Sequence, residues 1–391
     1  MKKYSIMFFL TMFLIGTDTF LISPLLPTLS KLYGISTAIS GWMVSSYAIG
    51  YAFFALISGP ISDGRDRKKV MLWGLLAFAI STFLCSFANS FILMLVFRFL
   101  AGVSASFVTP QVWASIPVVV DQKSIVKVMG YATAGLSVSQ LIGIPIGSYL
   151  AVISWHTPFY IISIAAFLLL LLLLFALPEL ELGKQEHLSF SKTYLQVLTN
   201  KKALSYLFAY CVFQIGSFTA TTFVSTWFTG SFKLSLSDVG TAMIAIGAGN
   251  LIGSLTSSKL VNKFGLEHTF LAELIILIIL YLITPFANNF WSAEILLTLV
   301  FLINGFIFPL FMTTLQNTVQ NARSTISSLS NAAMYLGETI AGIVGGILFK
   351  KFTGYIGIGP FAAFMILLAL LLYALNGMFQ KHNHEVTSYS S

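Results

Sequence analysis

The sequence predicts an all-α membrane protein whose twelve transmembrane helices form two six-helix pseudo-repeats. Three observations carry this. The composition is 57% hydrophobic and 9% charged, with a mean hydropathy of +0.90, whereas soluble domains carry about 25% charged residues to coat their surface. Most of the apolar residues fall into runs of the length that a bilayer requires, about 20 residues per helix. The only long internal polar segment, 178–202, lies close to the midpoint of the 391 residues and divides the runs six and six. Strands of a membrane barrel would instead read as alternating segments of about ten residues.

Taken in order, the first six spans are expected at 5–29, 39–61, 70–88, 91–113, 127–152 and 158–177. The second six are expected at 203–227, 237–261, 268–287, 291–315, 325–349 and 359–379. The run that follows Lys2 and Lys3 has the look of a leader peptide. It is too long, lacks a small-residue cleavage site and carries Asp18 in mid-run, which makes it a mature first span. The expected organisation is a six-helix bundle over 1–177, a cytoplasmic linker over 178–202, a second bundle over 203–380 and a cytoplasmic tail over 381–391.

Twelve spans leave both termini on one side, and the basic residues say which. Of 21 lysines and arginines, sixteen fall on the side of the termini: Lys2, Lys3, Arg65, Arg67, Lys68, Lys69, Lys123, Lys127, Lys184, Lys192, Lys201, Lys202, Lys259, Lys263, Arg323 and Lys381. Lys31, Lys233, Lys350 and Lys351 fall on the other side, and Arg98 lies inside a span. Basic loops stay cytoplasmic, so both termini are expected in the cytoplasm of a multi-pass cell-membrane protein. The Lys350–Lys351 pair is the exception to this bias. The net charge of +8 therefore reports orientation and implies no nucleic-acid partner.

Cys85 and Cys211 are embedded in separate apolar runs, and the five histidines are scattered at edges and tails. Neither pattern suits a disulfide framework or a metal site, so no metal is expected. The sequence has no G-x-x-x-x-G-K-[ST] loop for ATP and no H-E-x-x-H or G-x-S-x-G element, which argues against an enzyme. A sensor would carry a sizeable soluble output domain, and none fits the length. The two halves echo each other at one constant offset, with Gly50 on Gly249, Asp63 on Asn262 and Gly143/Gly147 on Gly342/Gly346. Parallel six-helix repeats are an architecture of secondary transporters.

The loop between the second and third spans reads Gly59-Pro60-Ile61-Ser62-Asp63-Gly64-Arg65-Asp66-Arg67-Lys68-Lys69. A short turn dense in both charge signs suits a cytoplasmic latch, because Asp63 can accept hydrogen bonds from helix-end amides or from an arginine. This segment resembles the signature of the major facilitator superfamily: Gly59, Asp63, Arg67 and Lys68 match it. Gly64 stands where the family usually has a basic residue, and Asp66 where it usually has glycine. Asn262-Lys263-Phe264-Gly265 is a worn second copy. Arg98 to Gly102 in the fourth span resembles an Arg-x-x-x-Gly element of proton-coupled members. Gly135 and Gly143-Ile144-Pro145-Ile146-Gly147 in the fifth are similar to the Gly-Pro motif of the antiporter branch. Gly337, Gly342, Gly345 and Gly346 repeat the small-residue pattern in the eleventh. The resemblance covers the whole chain and implies the twelve-span drug/metabolite:proton antiporter branch.

Ionisable groups at mid-bilayer cost at least about 2.5–3.5 kcal/mol on insertion scales and mark function. At ~1.5 Å per residue, Asp18, Arg98 and Glu338 reach a common depth. Burial disfavours the charged form of a carboxyl and a nearby cation favours it, so Asp18 is expected to bind the transported proton with Arg98 modulating it. A permanent Asp18–Arg98 ion pair that only locks two helices is the competing reading. Glu338 is expected to be a second proton site, a counter-charge for a cationic substrate, or a neutral hydrogen-bonded carboxyl. Glu273 and Glu294 are expected to be interfacial anchors, and His156 a loop residue. By analogy with the family, Tyr47, Gln140, Phe213, Gln214, Phe218, Asn250, Asn304 and Tyr335 are candidates to line a substrate cavity between the halves. The expected function is export of a drug-like molecule or metabolite in exchange for protons, by a functional monomer that needs no cofactor beyond the proton gradient. Proton-coupled import of a sugar or metabolite is the alternative.

Overall fold

The computed structural model describes residues 2–62, 66–121, 125–179, 190–319 and 323–379. Among these residues there is no β-strand, and twelve helices are long and apolar enough to cross a membrane. The first half contains α1 (Lys2–Tyr33), a short α2 (Thr37–Ser40) leading into α3 (Trp42–Ser62), α4 (Arg67–Cys85), α5 (Phe91–Val119), α6 (Ile125–Val138), α7 (Ile144–Ile153) and α8 (Thr157–Ala176). A π-turn, Ser139–Gly143, joins α6 to α7 within one span. After α9 (Phe190–Thr199), the second half contains α10 (Lys201–Thr222), α11 (Val224–Ser231), α12 (Leu236–Phe264), α13 (Leu266–Ile283), α14 (Phe290–Gln316), α15 (Arg323–Lys351) and α16 (Ile358–Leu375). The apolar runs read from the sequence correspond to these helices within a few residues. They overshoot where a polar turn follows an apolar residue, as at Cys85–Ser86.

Helix starts are set by side chains that satisfy the first free amides. Asp66 accepts from Lys68 N at 2.9 Å and starts α4. Asn200 accepts from Lys202 N and Ala203 N at α10, and reciprocal capping boxes open α12 at Ser235/Asp238 and α14 at Asn289/Ser292. Gly265 ends α12 with φ of 79°, a left-handed backbone that a side chain would strain.

Each half has its own apolar core, one built around Met12, Leu25, Tyr47 and Phe78 and the other around Tyr210, Phe270, Phe311 and Tyr373. Phe175, 83% exposed, and Leu375, 82% exposed, lie on an outer surface that only lipid can cover. Helix pairs approach closely through glycine, the usual device where lipid tails give no hydrophobic drive for association. A Cβ at Gly50 would overlap the Phe99 carbonyl, and one at Gly249 would come within 2.6 Å of the Thr298 carbonyl. These are the same contact in the two halves.

One end of the molecule carries residue 2 and the α3–α4, α12–α13 and α14–α15 connections. The opposite, far end carries the α1–α2, α4–α5, α7–α8 and α15–α16 connections. The bundles meet along a seam from the far end to about mid-height. There Ser23 Oγ donates to Thr222 O at 2.8 Å, Ser225 Oγ to Pro24 O at 3.1 Å and Ser45 Oγ to Thr339 O at 2.6 Å. The Tyr149 and Thr241 hydroxyls are 2.7 Å apart. Gly41 of the first half meets Gly342 of the second, and Gly240 meets Ser148. Phe223 and Tyr335, carried by the second bundle, pack into the first core.

Candidate functional site

Asp18 sits about 24 Å along α1 from Lys2, and Glu338 about 22 Å along α15 from Arg323, at ~1.5 Å rise per residue. Arg98 lies two turns into α5 from the far end. The structure brings Asp18 and Arg98 together: Arg98 Nη1 donates to Asp18 Oδ2 at 2.8 Å and Nη2 reaches Asp18 O at 3.4 Å, with both side chains fully buried. The pairing is one-pronged. Asp18 Oδ1 and Arg98 Nε find no hydrogen-bond partner among the described residues. A bidentate fork would use both carboxylate oxygens and is the stronger arrangement, so the geometry leaves Asp18 one acceptor to spare.

Tyr47 of α3 closes the site from the side. The Arg98 guanidinium lies 4.4 Å from its ring centroid, a cation–π contact strengthened by desolvation. Its hydroxyl is 3.0 Å from Thr19 Oγ1, on the residue after Asp18. Gly102, one turn after Arg98, lets α5 sit directly on the Tyr47 backbone, where any Cβ would overlap the carbonyl. The Tyr51 ring stacks on Tyr335 of the opposite bundle at 3.8 Å, with Tyr47 at 6.5 Å from the same ring. Sequence reasoning missed Tyr51 and Thr19. The i, i+4 spacing of Tyr47 and Tyr51 was the available signal for a shared helix face.

Glu338 is 3% exposed, and its Oε2 has no hydrogen-bond partner among the described residues. It shares a face of α15 with Tyr335 and Gly342. The other cavity candidates do not all gather there. Phe213 packs on Phe311 at 4.4 Å inside the second core, and Gln214 Nε2 donates to Tyr210 OH at 2.8 Å. Asn304 bridges Ser217 Oγ and Tyr281 OH at 3.4 and 3.5 Å. Phe218 is half-buried on α10. Asn250 supports the α12–α14 crossing, where its backbone carbonyl faces Gly305. Gln140 lies in the π-turn, beside Gly247 of α12.

Glu273 requires a correction. Its expected place was the membrane edge, yet it is 3% exposed and neither carboxylate oxygen has a partner among the described residues. The reason is helical phase: Phe270, Glu273, Leu274 and Leu277 share the α13 face turned into the second core. His156 precedes α8, its Nδ1 2.5 Å from Ser86 O and its ring 3.7 Å from Trp155, as suits a loop residue.

In the charged loop, Asp63 lies outside the described residues. Gly59 is in the last turn of α3, and the described part of the latch is anchored within the first bundle. Arg67 Nη1 donates to Ala114 O, and Lys68 Nζ donates to Leu174 O at 2.8 Å and Leu177 O at 2.6 Å, capping the carboxyl end of α8. Asp66, the departure from the family pattern, is the acid that caps α4. The fifth-span glycines face α1: a Cβ at Gly143 would overlap Thr17, and one at Gly147 would overlap Leu21. Pro145 is the second residue of α7, in its first turn directly after the π-turn.

The model of the Major Facilitator Superfamily matches residues 8–341 and 206–385. The chain is 46% identical over 368 residues to the MFS-type transporter YceJ of Bacillus subtilis (strain 168), covering 94% of each. It is 25% identical over 359 residues to the quinolone resistance protein NorA of Staphylococcus aureus (strain MSSA476), covering 89% of this chain and 90% of that one. A bacterial homologue of the human lysosomal transporter Spinster has the same fold, with a TM-score of 0.78 at 15% identity over 95% of this chain and 96% of that one. The resemblance first seen in the charged loop and the spans thus extends over nearly the whole length: the chain is a membrane-embedded transporter of the Major Facilitator Superfamily.

Proposed function

We propose that this transporter exports a small, drug-like molecule or metabolite from the cell in exchange for protons, by alternating access. The observation that carries the reading is the one-pronged Asp18–Arg98 pair, fully buried and with Asp18 Oδ1 unengaged. A proton on that oxygen neutralises the carboxylate and frees Arg98, so the two charge states of the pair favour different packings of α1 and α5. Tyr47 holds Arg98, and its neighbour Tyr51 stacks on Tyr335, which gives the pair a route to the opposite bundle. Glu338, on the same face as Tyr335, is the second proton site or the counter-charge for a cationic cargo. The export direction is supported by the likeness to NorA, a quinolone resistance protein.

The energetics suffice. For an uncharged cargo, one charge entering through about 100 mV yields about 2.3 kcal/mol, enough for a roughly fifty-fold gradient; for a monovalent cation exchanged one for one the charge movements cancel and the pH gradient supplies the drive. The bias of the basic residues supports placing both termini in the cytoplasm, and helix ends account for the lysines on the far side. Lys31, Lys350 and Lys351 occupy the last turns of α1 and α15, and Lys233 Nζ donates to Gly230 O at 2.8 Å. All four far-side lysines thus sit at helix carboxyl ends, where the backbone dipole favours a cation. Lys2, Lys3, Arg67, Lys201 and Lys202 stand at helix amino ends, against the dipole, while Lys263 sits in the last turn of α12; the cations that the dipole does not favour support a cytoplasmic near side. The partners are the cargo, protons and the cell-membrane bilayer, and one twelve-span copy is the functional unit.

Purified protein reconstituted into vesicles should move a fluorescent cationic dye against its gradient when a pH gradient is imposed, dye and protons travelling in opposite directions. Movement of both in the same direction would convert the reading to symport, and indifference to the pH gradient would overturn it.

A further inference from the structure

Glu273 of α13 is a buried acid that the Asp18–Arg98 pair does not use. It lies seven residues, about 10 Å, along α13 from Leu266. Phe270, Leu274 and Leu277 flank it on the buried face, and neither of its oxygens has a hydrogen-bond partner among the described residues. Buried polar atoms are normally satisfied, and exceptions call for an explanation. The hydroxyls of Thr269, Tyr206 and Tyr373, in the same bundle, are spent elsewhere. Thr269, one turn before Glu273, donates to Gly265 O at 2.7 Å. Tyr373 OH donates to Tyr206 O at 3.2 Å, and Tyr206 OH to Met378 Sδ at 3.7 Å.

The elements packed on α13 bring no buried cation to this acid. The titratable residue of α16 is Tyr373, and that of α14 is Glu294, near the far end. The short Thr284–Phe286 turn has none. From α12 come Lys259 and Lys263, both exposed, and Asp238, exposed at its far end. On α13 itself, Glu267 and His268 are exposed in the first turn, and Tyr281 lies two turns beyond Glu273.

Nor does the fold require an acid at this position. At the constant offset that relates the two halves, Phe270, Glu273, Leu274 and Leu277 fall on Met71, Gly74, Leu75 and Phe78, which form the buried face of α4. The counterpart of Glu273 is thus a glycine, so close to α5 that a Cβ would stand 3.0 Å from Phe107 Cβ and from Val108. One bundle is built with no side chain where the other buries a carboxyl.

We propose that Glu273 is a further proton-binding site, separate from the Asp18–Arg98 pair, which holds its proton while α13 is packed in the second bundle and releases it when that packing loosens. A carboxylate here would bury a full charge with neither donor nor counter-ion, whereas the acid buries only a dipole. The bundle therefore takes up this proton as it closes around α13, and alkaline conditions work against that closure. The site is independent of the direction of transport and of the cargo.

The test compares the purified full-length protein with Glu273→Gln and Glu273→Met, which fill the site without a titrating group. At neutral pH the infrared spectrum of the wild type should contain a carboxylic-acid carbonyl band that both variants lack. Thermal unfolding supplies the second readout. As the pH is raised from about 6 to about 9, the folding equilibrium of the wild type should weaken relative to either variant by about ten-fold per pH unit, because the folded state holds one proton that the unfolded chain has released. Absence of the acid band from the wild type would overturn the proposal, as would parallel pH profiles in all three proteins. Failure of both variants to fold would also overturn it, since an uncharged side chain is what the site is inferred to hold. No cargo enters these measurements, so their outcome and that of the export experiment stand apart.

Discussion

Ser23 and Thr222 are hydrogen-bonded at 2.8 Å, although 199 residues separate them. That separation is the offset at which the two halves of the sequence repeat. A residue that touches its own repeat-mate lies beside the pseudo-two-fold axis relating the bundles. The rest of the seam follows the same symmetry, since the α2–α3 junction meets α15 at Gly41 and Gly342 while α12 meets α7 at Gly240 and Ser148. The seam at the far end is thus one contact made twice, once on each side of that axis.

Locking that closure should stop transport. With Tyr149→Cys and Thr241→Cys, two thiols face each other across the seam where the native hydroxyls are 2.7 Å apart, too far apart for a direct disulfide because cysteine is much shorter than tyrosine. A bifunctional methanethiosulfonate reagent should bridge them and abolish dye efflux, and reduction should restore it. Complete cross-linking with undiminished efflux would contradict alternating access through this seam.

Removing one partner of the buried pair should cost more than removing both. Arg98→Ala leaves the Asp18 carboxylate uncompensated and is expected to destabilise by about 3–5 kcal/mol, seen as earlier thermal unfolding in detergent. Asp18→Asn combined with Arg98→Gln should recover most of that stability while remaining inactive. Additive losses in the double variant would argue that the two side chains are not energetically coupled.

The glycine seam should tolerate no side chain. Gly342→Val places atoms against Ser45 and the Gly41 carbonyl, and overpacking of this kind costs about 1–3 kcal/mol. Because the strain falls on the seam, each bundle should stay folded while the far end closes less often, read as reduced cross-linking of the Tyr149→Cys/Thr241→Cys pair. Gly130→Val is the control, because a Cβ there meets nothing within 4 Å.

The latch should act through the first bundle. Asp66→Ala removes the α4 cap, at about 0.5–2 kcal/mol. Lys68→Met removes two hydrogen bonds to the end of α8, at about 1 kcal/mol each. Both should lower the thermal midpoint of the purified protein, and an unchanged midpoint in Lys68→Met would show that these bonds contribute nothing to stability.

The helices were legible because lipid makes hydropathy a near-complete guide: each run of the required length became a span. Depth along a span was legible too, because helical rise alone sets Asp18, Arg98 and Glu338 at one level. What depth cannot give is azimuth. Glu273 was misread because its distance from the membrane edge was considered without the helical phase that it shares with Phe270 and Leu277. Tyr51 escaped notice because its partner, Tyr335, lies in the other half. The π-turn was hidden for a third reason. Pro145 announces a disturbed helix, but whether the lost donor produces a kink or an extra residue per turn depends on how closely Gly16, Thr17 and Gly247 press on it.

The most direct measurement is proton-driven transport by Asp18→Asn in reconstituted vesicles, alongside a check that the variant is folded. Asparagine keeps the size and one acceptor but carries no titrating group. The account predicts that an imposed pH gradient no longer drives dye uphill, while downhill dye exchange persists. Full uphill transport driven by the pH gradient in this variant would contradict it.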